Sequence, residues 1–361
     1  MDAQRQIDAE EAPGNRRPGL APAITLIVFA PGIAEVLSGA TRLSFIFVLI
    51  PEMMVWGCGA LLIREVVRRW QGGWTSMLLL GLGLSVAEEF VIQQTSLAPL
   101  PWVNVAAYGR AWGVNWIFFL FMLVYESVWV VLVPVQLTEL IFASRRKELW
   151  LKRAGLIVCS VIFIVGSFMA WFMWTQVART KVFHAAPYQP PELAIFSGVV
   201  IIAILASAAY TLRNIGGNKL RDFSGAALRT SRQAPSPWVV GAVTLLLGFP
   251  WYLLMTLIFG PPRDIALWMP MAVGILWAAL AYYLIRRWAS AFNWSDLHRW
   301  SLVFSAALVC MIAGFLGSGL WPRADLVAKA ILNVIAVVGF VWLGLKISGT
   351  MLRGSPNERV E

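Results

Sequence analysis

Ten apolar stretches of about 20 residues each run through a chain of 361 residues and decide the fold class before any motif is read. About 20 apolar residues in a helix cross a hydrocarbon core of ~30 Å. A soluble core of this length has no use for ten of them. In lipid the backbone must satisfy itself, and stretches this long do so as helices. The sequence therefore predicts an all-α, polytopic transmembrane helical bundle. Its spans fall at approximately 21–39, 44–63, 74–94, 113–142, 154–175, 193–212, 237–259, 265–285, 300–320 and 326–346. The fourth is long and carries Pro134, which predicts a kink or tilt. Residues 1–20 and 347–361 read as polar tails around one helical domain at 21–346. The first tail lacks the apolar core of a cleaved signal peptide.

Charge orients the spans. The net charge of +10 sits in a chain that is only 13% charged and 59% hydrophobic. The basic residues cluster between spans, which is membrane topology rather than nucleic-acid binding. The N-terminal tail and the loops on its side hold 22 lysines and arginines, and the opposite loops hold 7. By the positive-inside rule both termini are expected in the cytoplasm. Many of the 19 tryptophans, among them Trp70, Trp112, Trp116, Trp150, Trp238 and Trp321, lie near span ends, as in an interfacial aromatic belt. Cys58, Cys159 and Cys310 lie inside spans without metal-like spacing and read as small apolar residues.

Against this background five glutamates stand out: Glu35, Glu52, Glu88, Glu89 and Glu126. All lie inside the first four spans, and no lysine or arginine lies at comparable depth among those spans. A carboxylate in hydrocarbon is costly and is kept where something uses or satisfies it. At about 1.5 Å per residue, Glu35 lies about 6 Å from the outer end of its span and Glu52 about 12 Å. Glu88 and Glu89 lie about 8–9 Å in, and Glu126 about 20 Å. If the four helices pack together, their acids share a cavity opening outward.

The surroundings suit such a site. Gly81, Ser85, Glu88 and Thr95 form a small, polar stripe on span 3, with Glu89, Gln93 and Ser96 on the adjoining one. Consecutive residues point about 100° apart, so Glu88 and Glu89 meet at one point only if the helix is distorted. One is expected to line the cavity while the other braces a neighbouring helix. Pro31 and Pro51 each free a carbonyl one turn earlier. Such carbonyls either assist cation binding, as in broken transporter helices, or merely mark kinks. Residues 95–112 and 176–192 read as lids over the cavity or as membrane-surface loops. Arg110 is the nearest base.

Acids without bases have three uses. Two adjacent carboxylates do not both ionise cheaply, so some are protonated and donate hydrogen bonds. A cation can supply the missing charge, and an oxygen-only set suits Mg²⁺, Ca²⁺ or Mn²⁺ better than zinc or copper. A proton relay is the third use. Toward the cytoplasmic end, Arg64, Glu65, Arg68 and Arg69 read as a snorkelling anchor or a lipid-headgroup contact. Glu139 is expected to pair with the basic loop 145–153. His184 and His298 fall in opposite loops and hold no common metal. Nucleotide-loop, serine-hydrolase and zinc-protease motifs are absent, and no cofactor is indicated.

The phrases PGIAEVLSG at 31–39, GCGALLIREVVRR at 57–69, AEEF at 87–90, GVNW at 113–116 and VPVQLTEL at 133–140 resemble a group of bacterial multi-pass membrane proteins of unassigned activity. The resemblance covers about residues 25–145 and implies a bacterial cytoplasmic membrane. AEEF is also similar to the EExxxR motif of the CPBP (CAAX-type) intramembrane proteases. Glu88 and Glu89 match its acids, Gln93 stands where the arginine would be, and no histidine occurs within a span. That resemblance implies a hydrolase acting on lipid or peptide with Glu88 or Glu89 as catalytic base. The leading expectation is a transporter or permease-like protein, with Glu88 and Glu89 carrying the chemistry. In it Glu35, Glu52, Glu126, Gln93 and Arg110 bind the substrate or a coupling proton or divalent cation. A non-catalytic assembly partner is the third reading. The substrate, small molecule or lipid, is not specified by the sequence.

Overall fold

The apolar stretches form helices, which satisfy their backbone groups within a single segment. The computed structural model describes residues 19–99, 108–214, 232–259, 264–316 and 321–353. Among these, nine helices are long and apolar enough to cross a membrane. They are α2 (Leu43–Arg69), α3 (Trp74–Ile92), α4 (Trp116–Ile141), α5 (Arg153–Val182), α6 (Glu192–Thr211), α7 (Pro237–Ile258), α8 (Trp268–Ala289), α9 (Asp296–Ala313) and α10 (Arg323–Arg353). The first predicted span is a shorter apolar helix, α1 (Ala21–Leu37). Between α3 and α4 a two-residue hairpin pairs β1 (Arg110–Ala111) with β2 (Val114–Asn115).

Local chemistry sets the boundaries. Asn115 caps α4 by accepting from the Phe118 N–H at 3.1 Å. Ser236 caps α7 and Pro237 opens it. Ser295 and His298 form a reciprocal capping box at α9. That helix starts four residues earlier than predicted, so His298 lies in its first turn rather than in a loop. Its Nε2 meets the Pro235 carbonyl at 3.0 Å. Helix α5 runs seven residues past its expected end, and α10 continues to Arg353, into the stretch read as a tail. The rest of both tails lies outside the described residues.

Helix α2 packs on α1, α3 and α4, α4 also packs on α1 and α3, and α9 completes this core by lying on α1 and α4. Around them α5 covers α2, α6 covers α3, α7 covers α9 and α8 covers the first half of α4. Helix α10 lies against α9 and the far end of α1. The peripheral helices expose long apolar side chains, for example Phe168, Phe196, Leu276 and Trp342, which suits lipid contact. Two glycines permit close approaches around α1. Gly57 of α2 lies so near the Ile27 carbonyl of α1 that a Cβ would come within 2.3 Å of it. Pro31 has no N–H to give that carbonyl, so α2 packs onto the backbone group that the proline releases. Gly39 turns the chain after α1 at φ 85°, and a Cβ there would strike Trp321.

Candidate acidic site

Each of the four helices that carry the glutamates departs from α-geometry where the acid sits. Helix α1 ends in a π-helical turn, Gly32–Leu37, which contains Glu35. Helix α2 widens over Met53–Gly57, directly after Glu52. Helix α3 ends in the π-helical stretch Glu88–Ile92, opened by Glu88 and Glu89. Helix α4 widens over Glu126–Leu132, opened by Glu126 and followed by Pro134. Such segments are rare and frequent at functional sites. A further one, Phe172–Val182 in α5, holds no glutamate. The distortion that adjacent acids on one helix demand is therefore present in α3.

The packing of α1 to α4 makes the carboxyls a chain of electrostatic neighbours: Glu35 is within range of Glu52, Glu88 and Glu126, and Glu126 of Glu88 and Glu89. Glu52, Glu88, Glu89 and Glu126 are buried, and Glu35 is partly so. Hydroxyls serve some of them. Thr41, in the turn between α1 and α2, donates to Glu52 Oε1 at 2.5 Å and lies 3.4 Å from Glu35 Oε2. Thr95 and Ser96 donate to Glu89 Oε2 at 2.7 and 2.6 Å. Ser85 adjoins the Glu126 carboxyl. Glu88 differs: only 1% exposed, it has no hydrogen-bond partner at either oxygen among the described residues. One oxygen each of Glu52 and Glu126 is likewise unserved.

The bulge of α1 is braced from three other helices. Tyr125 of α4 donates to the Ala34 carbonyl, and the Cys310 thiol of α9 donates to that of Ile33 at 3.5 Å. Lys329 of α10 donates to the Leu37 carbonyl at 3.0 Å and to that of Met311 at 2.8 Å. These bonds occupy backbone groups that a π-turn leaves exposed and fix Glu35 in place. Tyr125 also stacks between Phe121 and Trp129, with Tyr252 edge-on, forming an apolar wall beside Glu126.

Several expectations change. Glu89 braces the turn after its own helix, through Thr95 and Ser96, rather than a neighbouring helix. Arg110 donates to the carbonyls of Leu97 and Gly113 and pairs with none of the acids among the described residues. It ties the hairpin to the segment after α3. Gln93 is partly buried and bonds none of the five carboxyls. The two predicted lids do meet, because Arg179 donates to Pro99 at 2.7 Å, but residues 100–107 lie outside the described residues. Among the described residues no three His, Cys, Asp or Glu side chains assemble as a metal-holding group.

The sequence reading missed Thr41, Cys310 and Lys329. Thr41 sits between two glutamates in sequence, which is a usable signal. Lys329 is an intramembrane cation by position and was open to the same reasoning as the acids. Cys310 gave no signal beyond its apolar surroundings. The whole of α9 was missed as a core helix because its hydropathy is the lowest of the nine.

A second polar cluster lies at the other end of α2. Glu65 is wholly buried and accepts from Arg64 at 2.7 Å and from Arg69 at 2.8 Å. It also takes the N–H groups of Trp150 and Leu151. Arg64 is buried, stacks 3.5 Å from the centre of the Trp150 ring, and donates to Glu139, Glu148 O and Arg146 O. It therefore does not snorkel. Glu139 pairs with Arg64 and Arg68 of α2, not with loop 145–153. That loop instead reaches α9, where Arg146 grips Asp296 through two bonds.

Comparison of the chain with protein-family models, with curated proteins and with solved structures finds no match.

Proposed function

We propose that the chain is a multi-pass membrane transporter of permease type whose buried glutamates couple substrate movement to protons. The nine long apolar helices support a membrane protein. The carrying observation is Glu88: a buried carboxyl with no ion pair or hydrogen bond among the described residues, with four more acids on or directly beside helical bulges. An unserved buried carboxylate costs several kcal/mol, which a purely structural residue does not repay. Protons fit better than a divalent cation. Hydroxyls hydrogen-bond Glu52 and Glu89, and no three-ligand set forms among the described residues. The basic bias of the loops, 22 against 7, supports both termini in the cytoplasm of a bacterium-like inner membrane.

In this reading Glu88 takes and releases the coupling proton, and Glu35, Glu52 and Glu126 pass it on or share it with the substrate. Glu89, held by Thr95 and Ser96, positions the end of α3. The test is flux in proteoliposomes, with a panel of small solutes and an internal pH dye. Transport that collapses with the pH gradient in the wild type, and loses that dependence in Glu88→Gln, supports the proposal. Gradient-independent flux unaltered by the substitution rejects it. Chemical turnover of lipid or peptide without net movement would replace transport by hydrolysis, with Glu88 or Glu89 as base.

A further inference from the structure

Thr41 carries one hydroxyl hydrogen but sits between two carboxyls, 2.5 Å from Glu52 and 3.4 Å from Glu35. A hydroxyl donates once and accepts through its lone pairs. Thr41 can donate to one carboxyl while accepting from the other when that one is protonated. That is the geometry of a hydroxyl relay. The same side chain lines a small pocket between the end of α1 and the start of α10, with Val36, Leu43, Trp321, Asp325 and Lys329. Two charged side chains of the pocket wall are hydrogen-bonded elsewhere: Asp325 takes both the N–H and the hydroxyl of Ser44, and Lys329 donates to two carbonyls.

We infer that this pocket is the proton entrance of the acidic site and that Thr41 is its relay. This rests on the proton-coupling reading and names the route within it. The step balances simply. A hydronium ion entering the pocket passes a proton to the Thr41 oxygen while Thr41 passes its own hydrogen to the carboxylate of Glu52 or Glu35. The hydronium is left as water, the hydroxyl is restored by rotation, and one proton has moved from solvent to carboxylate. Inward, Glu35 is within electrostatic range of Glu88, and Glu88 of Glu89 and Glu126. The other titratable or charged groups around the relay are Lys329 and Asp325 of α10, Arg42 in the turn, Cys310 of α9, Tyr125 of α4 and Tyr252 of α7. Arg42 stacks over Phe45 and Trp321 at the mouth. Lys329 and Asp325 are committed to the partners named above, which leaves Thr41 as the hydroxyl that joins the pocket to the acids.

The experiment is a pH jump on the full-length protein in lipid nanodiscs, followed by infrared spectroscopy of the carboxyl bands. Glu52→Gln and Glu88→Gln assign the bands. Thr41→Val keeps the shape without the hydroxyl and should slow the response of Glu88 roughly a hundredfold, the low end for a positioned proton-transfer group. Thr41→Ser should restore it. As a control independent of folding, Leu43→Cys is measured before and after capping with a bulky thiol reagent, which should also slow the response. Unchanged rates in both Thr41→Val and capped Leu43→Cys overturn the route. If wild-type flux ignores the pH gradient, the coupling reading fails instead, which the proteoliposome assay shows separately.

Discussion

Two acidic regions share helix α2 and treat their charges in opposite ways. At one end Glu65 has a partner for every lone pair that matters: two arginines and two backbone N–H groups. Toward the other end Glu52 leans on a single threonine, and nearby Glu88 has no hydrogen-bond partner among the described residues. Both regions are buried, so burial alone does not separate them. What separates them is whether the surrounding chain compensates the charge. A compensated cluster holds helices and a loop in register. An uncompensated one is poised to take its partner from outside the chain.

This contrast is tested first where it should cost most. Arg64→Ala leaves Glu65 and Glu139 buried with part of their counter-charge gone. A loss of about 3–5 kcal/mol is expected. In practice the variant should fail size-exclusion in mild detergent or melt far below the wild type. Survival with an unchanged melting curve would show that the clip is ornamental. Next comes Lys329→Met, which removes two charge-assisted bonds to carbonyls. Its expected cost is about 1.5–3 kcal/mol, read by thermal unfolding. A smaller shift would mean that the bulge of α1 holds itself. Ser96→Ala removes one of two donors to Glu89 and should cost about 1 kcal/mol. Glu52→Gln keeps an acceptor for Thr41 and should change stability by less than about 0.5 kcal/mol, within the range of neutral substitutions.

The fold class was legible because hydrophobic length is a strong signal, and all ten predicted segments became helices. Their ends were less so. The start of α9 at Asp296 is fixed by a capping box and by the grip of Arg146, neither of which hydropathy reports. The acids were legible for the same reason as the spans, since charge inside apolar sequence is conspicuous. Their partners were not. Lys329 arrives from nearly 300 residues away and Cys310 from α9, and long-range packing leaves no local pattern. Arg64 misled because its sequence neighbourhood fits a snorkelling anchor. Only the packing of Trp150 over its guanidinium reveals it as a core residue.

The central claim is that Glu88 serves activity rather than structure, and one variant addresses it directly. Glu88→Gln removes the uncompensated acid while keeping its shape. Thermal unfolding and pH-gradient-driven flux are measured on the same reconstituted preparation. The account predicts a melting temperature at or above that of the wild type, with coupling to the gradient lost. A protein that melts several degrees lower yet transports normally per folded molecule would contradict it.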